Sequence, residues 1–540
     1  MTLAAALSSA NSSLRAIQTQ LAVASSNIAN ADDVTYTTKS AQQTARVTSG
    51  AGTGVDITAI LGKVDTNLVR GIVGATSTNA AATTTQDYLQ RLSDVLGTLT
   101  SDGSGDTLAT NLSALESTLD ELAATPESAT LNSQALANLD DALANLRTSS
   151  DDVAALVADA ETSIAGSVTD ANDLLKEIHG LNQLIVRAQA NGQPTATLED
   201  QRNAAVTELA EHLDVSTFVD SEGAMNVYTG GGQVLVASQV HELSLDDGAV
   251  VVNGKDITNA LQSGKLAALV DLRDTTLPAI QAGLDALAVS LRDTLNAVSN
   301  LGSTVPPPNT LTGTRAVSAT DALSATGTLR VAVTDGDGGV TATSDIDLST
   351  VGTVNDLLTA LNGISGLSAS LDSFGYLVLT AADGVAVAGG DVGGDSLSGY
   401  FGLNDLVAGS GAADMSARLP TLPTGQMSTA GTLAAGAVAV TMGSGALAQS
   451  MADAMRKADL GGQAGNLVAD VGTRLNTANM RATSAETALT TLTASFQSRY
   501  GVNVDEETAR ISELENSYSA SAQVLSAVQS MFDDLLNAVR

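Results

Sequence analysis

The sequence predicts a multidomain, mainly α-helical protein: a bundle or coiled-coil body formed by the N- and C-terminal segments, with β-rich domains inserted between them. Three observations predict it. At both ends of the chain, apolar residues recur at alternating steps of three and four, which draws a narrow seam down a helix and calls for a partner. Long helical patterns joined by short turns fill most of 55–213 and 447–500, as in a bundle. Between them, the apolar period falls close to two over 214–245, and from 309 to about 445 the composition shifts to Thr, Gly, Val, Ala and Asp with several strand candidates.

Taken in order, residues 2–30 read as one helix with Leu3, Leu7, Ala10, Leu14, Ile17, Leu21, Ala24 and Ile28 on its seam and Arg15 as its only charge. An isolated helix of this kind is marginal in water, so it is expected to fray in a lone molecule and to order once covered. Asp32 and Asp33 end it and open an irregular segment to about Gly54. A short apolar lead-in (Val55, Ile57, Ile60, Leu61) precedes a helix whose face is Tyr88, Leu89, Leu92, Val95, Leu96 and Leu99. Asp102 to Asp106 form a turn with Ser101. Helix resumes at 107–123. Pro126 stands at the start of the next helix, where proline is tolerated, and that helix continues through Leu131 to Val157. A further helix, Leu174 to Ile185, stops at Asn191-Gly192, and 197–212 form one more.

From Asp214 to Leu245 the pattern is that of a small antiparallel sheet, with turns at 221–223 and 230–232 and an extension over 250–257. Helix returns from Lys265 to about Val298. Pro306-Pro307-Pro308 reads as a stiff linker. Beyond it, strands are expected at 327–333, 338–348, 367–371 and 376–380, with one helix at about 353–364, giving an α+β or mainly β domain. A helix from about 447 to Tyr500 is broken by Gly501. Asp505, Glu506 and Glu507 suit the N-terminus of the last helix, whose seam is Ile511, Leu514, Tyr518, Ser521, Leu525, Val528, Phe532, Leu535 and Val539. The expected domains are therefore a terminal coiled coil (1–50 and 501–540), a helical body (51–213, 264–305 and 446–500), a small β-rich insertion (214–263) and an outer β-rich or α+β domain (306–445).

A chain of 540 residues is too long for one core. With 24 basic and 59 acidic residues its net charge is −35, which repels phosphate backbones and argues against a nucleic-acid partner. Without cysteine it can hold neither a disulfide nor a thiolate metal site. The first residues lack the basic flank of a Sec signal. Leu419 to Ala452 carry no charge, but Pro420, Pro423 and many small residues there fit a loop and buried strand, so no membrane insertion is expected.

No chemical site emerges. His179, His212 and His241 fall on a helix, a helix end and a strand, without ligand-spaced neighbours. Asp335-Gly336-Asp337-Gly338-Gly339 resembles half a calcium loop but lacks the closing Glu, and reads as a hairpin turn. Gly230–Gly232 is followed by strand and by no Lys-Ser/Thr pair, unlike a phosphate loop. No catalytic, cofactor-binding or metal-binding residue, and no enzyme, is expected. The candidate functional residues are those of self-assembly: Leu3, Leu7, Leu14, Ile17, Leu21, Ile28, Ile511, Leu514, Tyr518, Leu525, Val528, Phe532, Leu535 and Val539. Stripes like these also serve as private core faces. Their position at the two extremes favours packing between segments and between subunits.

Four segments resemble the bacterial flagellar hook-associated protein 1 family, the hook–filament junction family. Ser25 to Tyr36 (SSNIANADDVTY) resembles the signature that closes the first helix of axial flagellar proteins, usually SNNIANANTPGY. Leu198 to Asn203 (LEDQRN) resembles the family's L-x-D-Q-R-D. GKLAALVDLRD from Gly264, leading to a helix that ends DTLNAVSN, resembles its G-x-L-x-G-L-L-x-x-R-D segment. Gly501 to Leu536 resembles the C-terminal axial motif. The first and last are common to rod, hook and junction proteins; the middle two point to the junction protein. Val34-Thr35 stands where Pro-Gly is usual, Thr37-Thr38-Lys39 where Ser-Arg-Gln is usual, and 309–445 match nothing. The resemblance implies an extracellular structural subunit, exported unfolded by the flagellar type III apparatus and packed as a ring. The implied partners are copies of itself, the hook protein, the second junction protein, a capping scaffold and an export chaperone. The alternatives are another axial protein, such as flagellin or the second junction protein, or a secreted adhesin-like protein that uses the outer domain.

Overall fold

A computed structural model describes residues 3–48, 51–62, 64–97, 107–443 and 445–539. The expected turn at 101–106, and Leu99, lie outside them. Packing divides the chain into two compact units. One comprises Met1–Tyr88, Ala158–Asp274 and Asn476–Arg540; the other comprises Leu89–Val157 and Thr275–Leu475.

Helix α1 (Leu3–Ala29) leads into a two-stranded antiparallel ribbon, β1 (Lys39–Thr48) and β2 (Ala51–Gly62). This corrects the expected irregular segment. β1 is almost wholly polar, so no alternation marks it as a strand; it forms because β2 lies on α1 and offers it an edge. The contact is close at Gly54 (φ +142°), where a Cβ would overlap Ser12 Oγ. The Val55 amide donates to that same hydroxyl at 3.1 Å.

α2 (Thr66–Leu96) and α3 (Leu108–Ala124) follow, the latter opened by a Thr107/Thr110 capping box. α4 (Ala129–Ala190) is a single helix of 62 residues rather than the two expected. Its middle carries many polar residues, but Ala160, Ile164, Val168 and Ala171 continue the buried stripe there. Pro126 stands in the turn before it, and Ser128 Oγ caps the first turn by accepting from the Leu131 amide at 3.2 Å. α5 (Ala196–His212) precedes two three-stranded sheets. The first is β3 (Val215–Val219), β4 (Met225–Thr229) and β5 (Val234–Val236); the second is β6 (Leu243–Asp246), β7 (Ala249–Val252) and β8 (Lys255–Asp256). His241 sits in the connection between them and not on a strand. α6 (Gly264–Asp271) passes through one π-helical turn at Leu272–Thr276 into α7 (Leu277–Ser299).

The strand-rich part of the second unit holds β9 (Thr310–Ala316), β10 (Ala325–Thr334), β11 (Val340–Asp347), α8 (Val354–Asn362), β12 (Leu367–Leu371), β13 (Tyr376–Ala381), β14 (Gly384–Val392), β15 (Asp395–Ser396), α9 (Leu397–Phe401), β16 (Val407–Ala408) and β17 (Ser416–Ala417). One sheet has the order β11-β10-β14-β15, another β12-β13-β9. Leu329, Leu357, Leu361, Leu377, Leu379 and Phe401 are fully buried in their shared core. β14 escapes sequence reading because Gly and Ala fill it, yet it pairs with the central β10. Pro306–Pro308, read as a linker, lies inside this unit, and the Pro308 carbonyl accepts from the Val385 amide at 2.8 Å.

After a largely irregular stretch come α10 (Ala446–Ala458), α11 (Leu460–Tyr500) and α12 (Val504–Val539). The expected helix over 447–500 is thus two, parted at Asp459, which adopts a left-handed φ of 53° ahead of Gly461-Gly462. Among the described residues, no helix is long and apolar enough to cross a membrane.

Candidate functional site: the terminal hairpin and its polar root

The two seams pack against each other. Ser13 Oγ lies 3.4 Å from Ser521 Oγ, and Asn27 Nδ2 donates to Glu507 Oε1 at 3.1 Å. An advance from 13 to 27 on α1 matches a retreat from 521 to 507 on α12, so the pair is antiparallel. The interval is two heptads on each helix, as an apolar seam of period 3.5 requires. Ile17 and Val528 are buried, whereas Leu3, Leu7, Leu14, Leu21, Ile28, Ile511, Leu514 and Leu525 are half-buried. Tyr518 and Phe532 are more open, and Leu535 is 57% exposed. The side chain of Val539 is outside the described residues. Carried to its end, this register sets Leu3 opposite Met531, so α12 runs on past the described start of α1. That overhang carries Phe532, Leu535 and Leu536, and Met531 at its base is also exposed.

At the other end, the root of the hairpin is polar and buried. Asn27 is wholly buried. Its amide donates to the Lys39 carbonyl at 2.9 Å and to Glu507; its oxygen accepts from Tyr36 Oη at 3.0 Å and from the Lys39 amide at 3.1 Å. Lys39 Nζ lies 2.7 Å from Asp200 Oδ2 and 3.3 Å from the centroid of the Tyr36 ring. Asp200 also accepts from the Thr37 amide (3.1 Å) and hydroxyl (2.8 Å). Thr38 reaches the junction between α11 and α12: its amide donates to the Tyr500 carbonyl at 2.8 Å and its hydroxyl to the Gly501 carbonyl at 2.6 Å.

Three quoted signatures thus meet at one point. Residues 25–36 supply Asn27 and Tyr36, LEDQRN supplies Asp200, and the C-terminal motif supplies Gly501 and Glu507. Thr37, Thr38 and Lys39, where the sequence departs from the usual pattern, make the ion pair and most of the bonds. The missing Pro-Gly turn is replaced by Asp33, whose Oδ1 accepts from the Thr35 amide at 2.9 Å and hydroxyl at 2.7 Å. The sequence marks these segments but gives Asn27, Thr37, Lys39 and Asp200 no role, and Glu507 only that of an acid at a helix N-terminus. The available signal was a Lys and an Asp inside otherwise structural motifs.

The other signature residues are also structural. Arg202 is buried, and one of its terminal nitrogens donates to Asn182 Oδ1 (2.9 Å) and to the Gly223 carbonyl (2.7 Å), pinning the β3–β4 turn to α4. Gly264 has φ +86°, and a Cβ there would come within 2.6 Å of Leu213 Cα. Arg273 binds the Gly248 carbonyl at 2.7 Å and pairs with Asp274. In the 335–339 segment, Asp335 Oδ1 accepts from the amides of Asp337 (3.1 Å) and Gly339 (2.7 Å), closing the β10–β11 hairpin. His212 is buried; its pKa is lowered first by desolvation and then by Lys265, against the pull of Asp170 and Glu211.

Residues 90–314 match the family described as the flagellar hook-associated protein FlgK helical domain, and 494–538 match the flagellar basal body rod FlgEFG protein C-terminal family. Flagellar hook-associated protein 1 of Escherichia coli is 24% identical over 98% of this chain and 99% of its own. That of Salmonella typhimurium is 25% identical over 98% of each. Along almost its whole length the chain is similar to these members of the flagellar hook-associated protein 1 family. The solved flagellar hook junction protein FlgK from Burkholderia pseudomallei aligns over 79% of this chain and all of that one, at 17% identity and a TM-score of 0.49. The resemblance read from four short motifs therefore extends along almost the whole chain. Members of this family are structural components of the flagellum.

Proposed function

We propose that this protein is a structural subunit of the junction between flagellar hook and filament, and that it assembles there through its terminal hairpin. The observation that carries the reading is the overhang of α12. It leaves Phe532, Leu535 and Leu536 exposed on a helix whose preceding turns are paired with α1. Burying one large aliphatic side chain contributes about 1.5–3 kcal/mol. Several such side chains per subunit, covered by neighbouring copies in a ring, offset the association and ordering cost that one subunit cannot meet. On this reading the hairpins line the inner wall of the tube, and the hook protein and second junction protein lie above and below. The protein is read as extracellular, exported with the help of a chaperone, and non-enzymatic.

The test is the double variant Leu525→Asp with Phe532→Asp in cells that lack the wild-type gene. Secreted, folded protein without filaments, and with flagellin shed into the medium, is the expected result. Normal filaments on hooks carrying the variant would overturn the reading.

A further inference from the structure

We propose that Asn27 and Glu507 form the register key of the terminal hairpin: a buried polar pair that sets how far α12 slides along α1, and hence how much of its apolar end is left uncovered. The key is a positioning device and touches no partner itself.

The seam alone specifies register weakly. A repeat of seven matches itself after a slip of seven, and the α1 side is lined at Ala10, Ser13, Ala16 and Ala24 by small residues that grip little. A slip of one heptad, which sets Ser13 opposite Val528, keeps the same seam positions of the two helices facing each other. It also brings Leu3 to about Ala538 and covers the overhang. The polar root forbids that slip. Asn27 uses both amide hydrogens and both lone pairs on named partners. After the slip it would face Leu514, with its bond to Glu507 lost and Glu507 stranded. Glu507 is itself 4% exposed, with Oε2 unpartnered, and Arg510 stands 3.9 Å from Oε1. A buried carboxylate held this thinly is a poor stabiliser against an apolar pair of similar size; setting register is the best-attested use of such pairs.

The lack of cysteine makes register directly readable. Ser13→Cys with Ser521→Cys reports the native register, and Ser13→Cys with Val528→Cys reports the slip. On otherwise unaltered chains the first pair is expected to oxidise and the second to stay reduced. Asn27→Leu should move cross-linking to the second pair. An Asn27→Leu chain that still cross-links only at 13–521 would overturn the proposal. If circular dichroism shows that this variant does not fold, Asn27→Asp takes its place. It sets two carboxylates together and is expected to lose the native cross-link. Retention of the native link in this variant rejects the key. The readout is within one molecule and so stands or falls separately from any role at a junction.

Discussion

The terminal hairpin and the strand-rich core around β10 are built from similar aliphatic residues and finish differently. In the core, Leu329, Leu357, Leu361, Leu377 and Leu379 are all fully buried within one chain. On the hairpin, Ile17 and Val528 are the only candidate assembly residues that the described chain buries, and exposure rises towards Leu535 and Leu536. The core is complete as it stands. The hairpin is closed at its polar root and open at its apolar end.

Four measurements would break or sharpen this contrast. The largest effect on folding is expected from Asp200→Ala at the root. It strands the buried Lys39 ammonium and two Thr37 donors and should cost about 3–5 kcal/mol in denaturant unfolding of the first unit. A loss no larger than that of a surface substitution would show that the root does not close the hairpin. Leu357→Ala in the strand-rich core should cost about 2–5 kcal/mol, read from the same melts as a shift confined to the second unit. A smaller effect comes from His212. Burial holds its folded pKa below the ordinary value of about 6.5. The unfolded chain therefore binds a proton first as pH falls. The stabilisation is full above about 6.5 and declines below it towards the folded value. His212→Gln should flatten that part of the stability–pH curve, and an unchanged slope would assign it to other groups. The smallest change in folding is expected from Leu535→Asp with Leu536→Asp, within about 0.5 kcal/mol, although assembly should fail. A large loss of stability there would mean that the overhang is already packed in the single chain.

Much of this was legible in residues. The seams at Leu3–Ile28 and Ile511–Val539 are visible because a period of 3.5 survives in any list of apolar positions. The strands at 327–333 and 376–380 stand out because Val and Leu alternate or cluster there. Other elements were hidden for physical reasons. β1 is polar and takes its conformation from β2 and α1. β14 is Gly- and Ala-rich and becomes a strand through pairing with β10. The unbroken α4 hides its middle because polar residues crowd the sparse stripe of Ala160, Ile164, Val168 and Ala171, and the break at Asp459 is a single left-handed residue. At the root, the motifs were visible and their meeting was not, because Asn27 and Glu507 are 480 residues apart in the chain.

By itself, then, the sequence determined that two amphipathic helices at opposite ends require a partner, that helices surround inserted strands, and that the chain resembles an axial flagellar family. Local periodicity and short motifs carry that information. Tertiary structure alone decided that the two seams run antiparallel in a defined register, that Lys39 meets Asp200 in a buried site, and that the end of α12 is left uncovered. Those outcomes depend on which distant groups satisfy one another once water is excluded, a condition that no stretch of the chain can express alone.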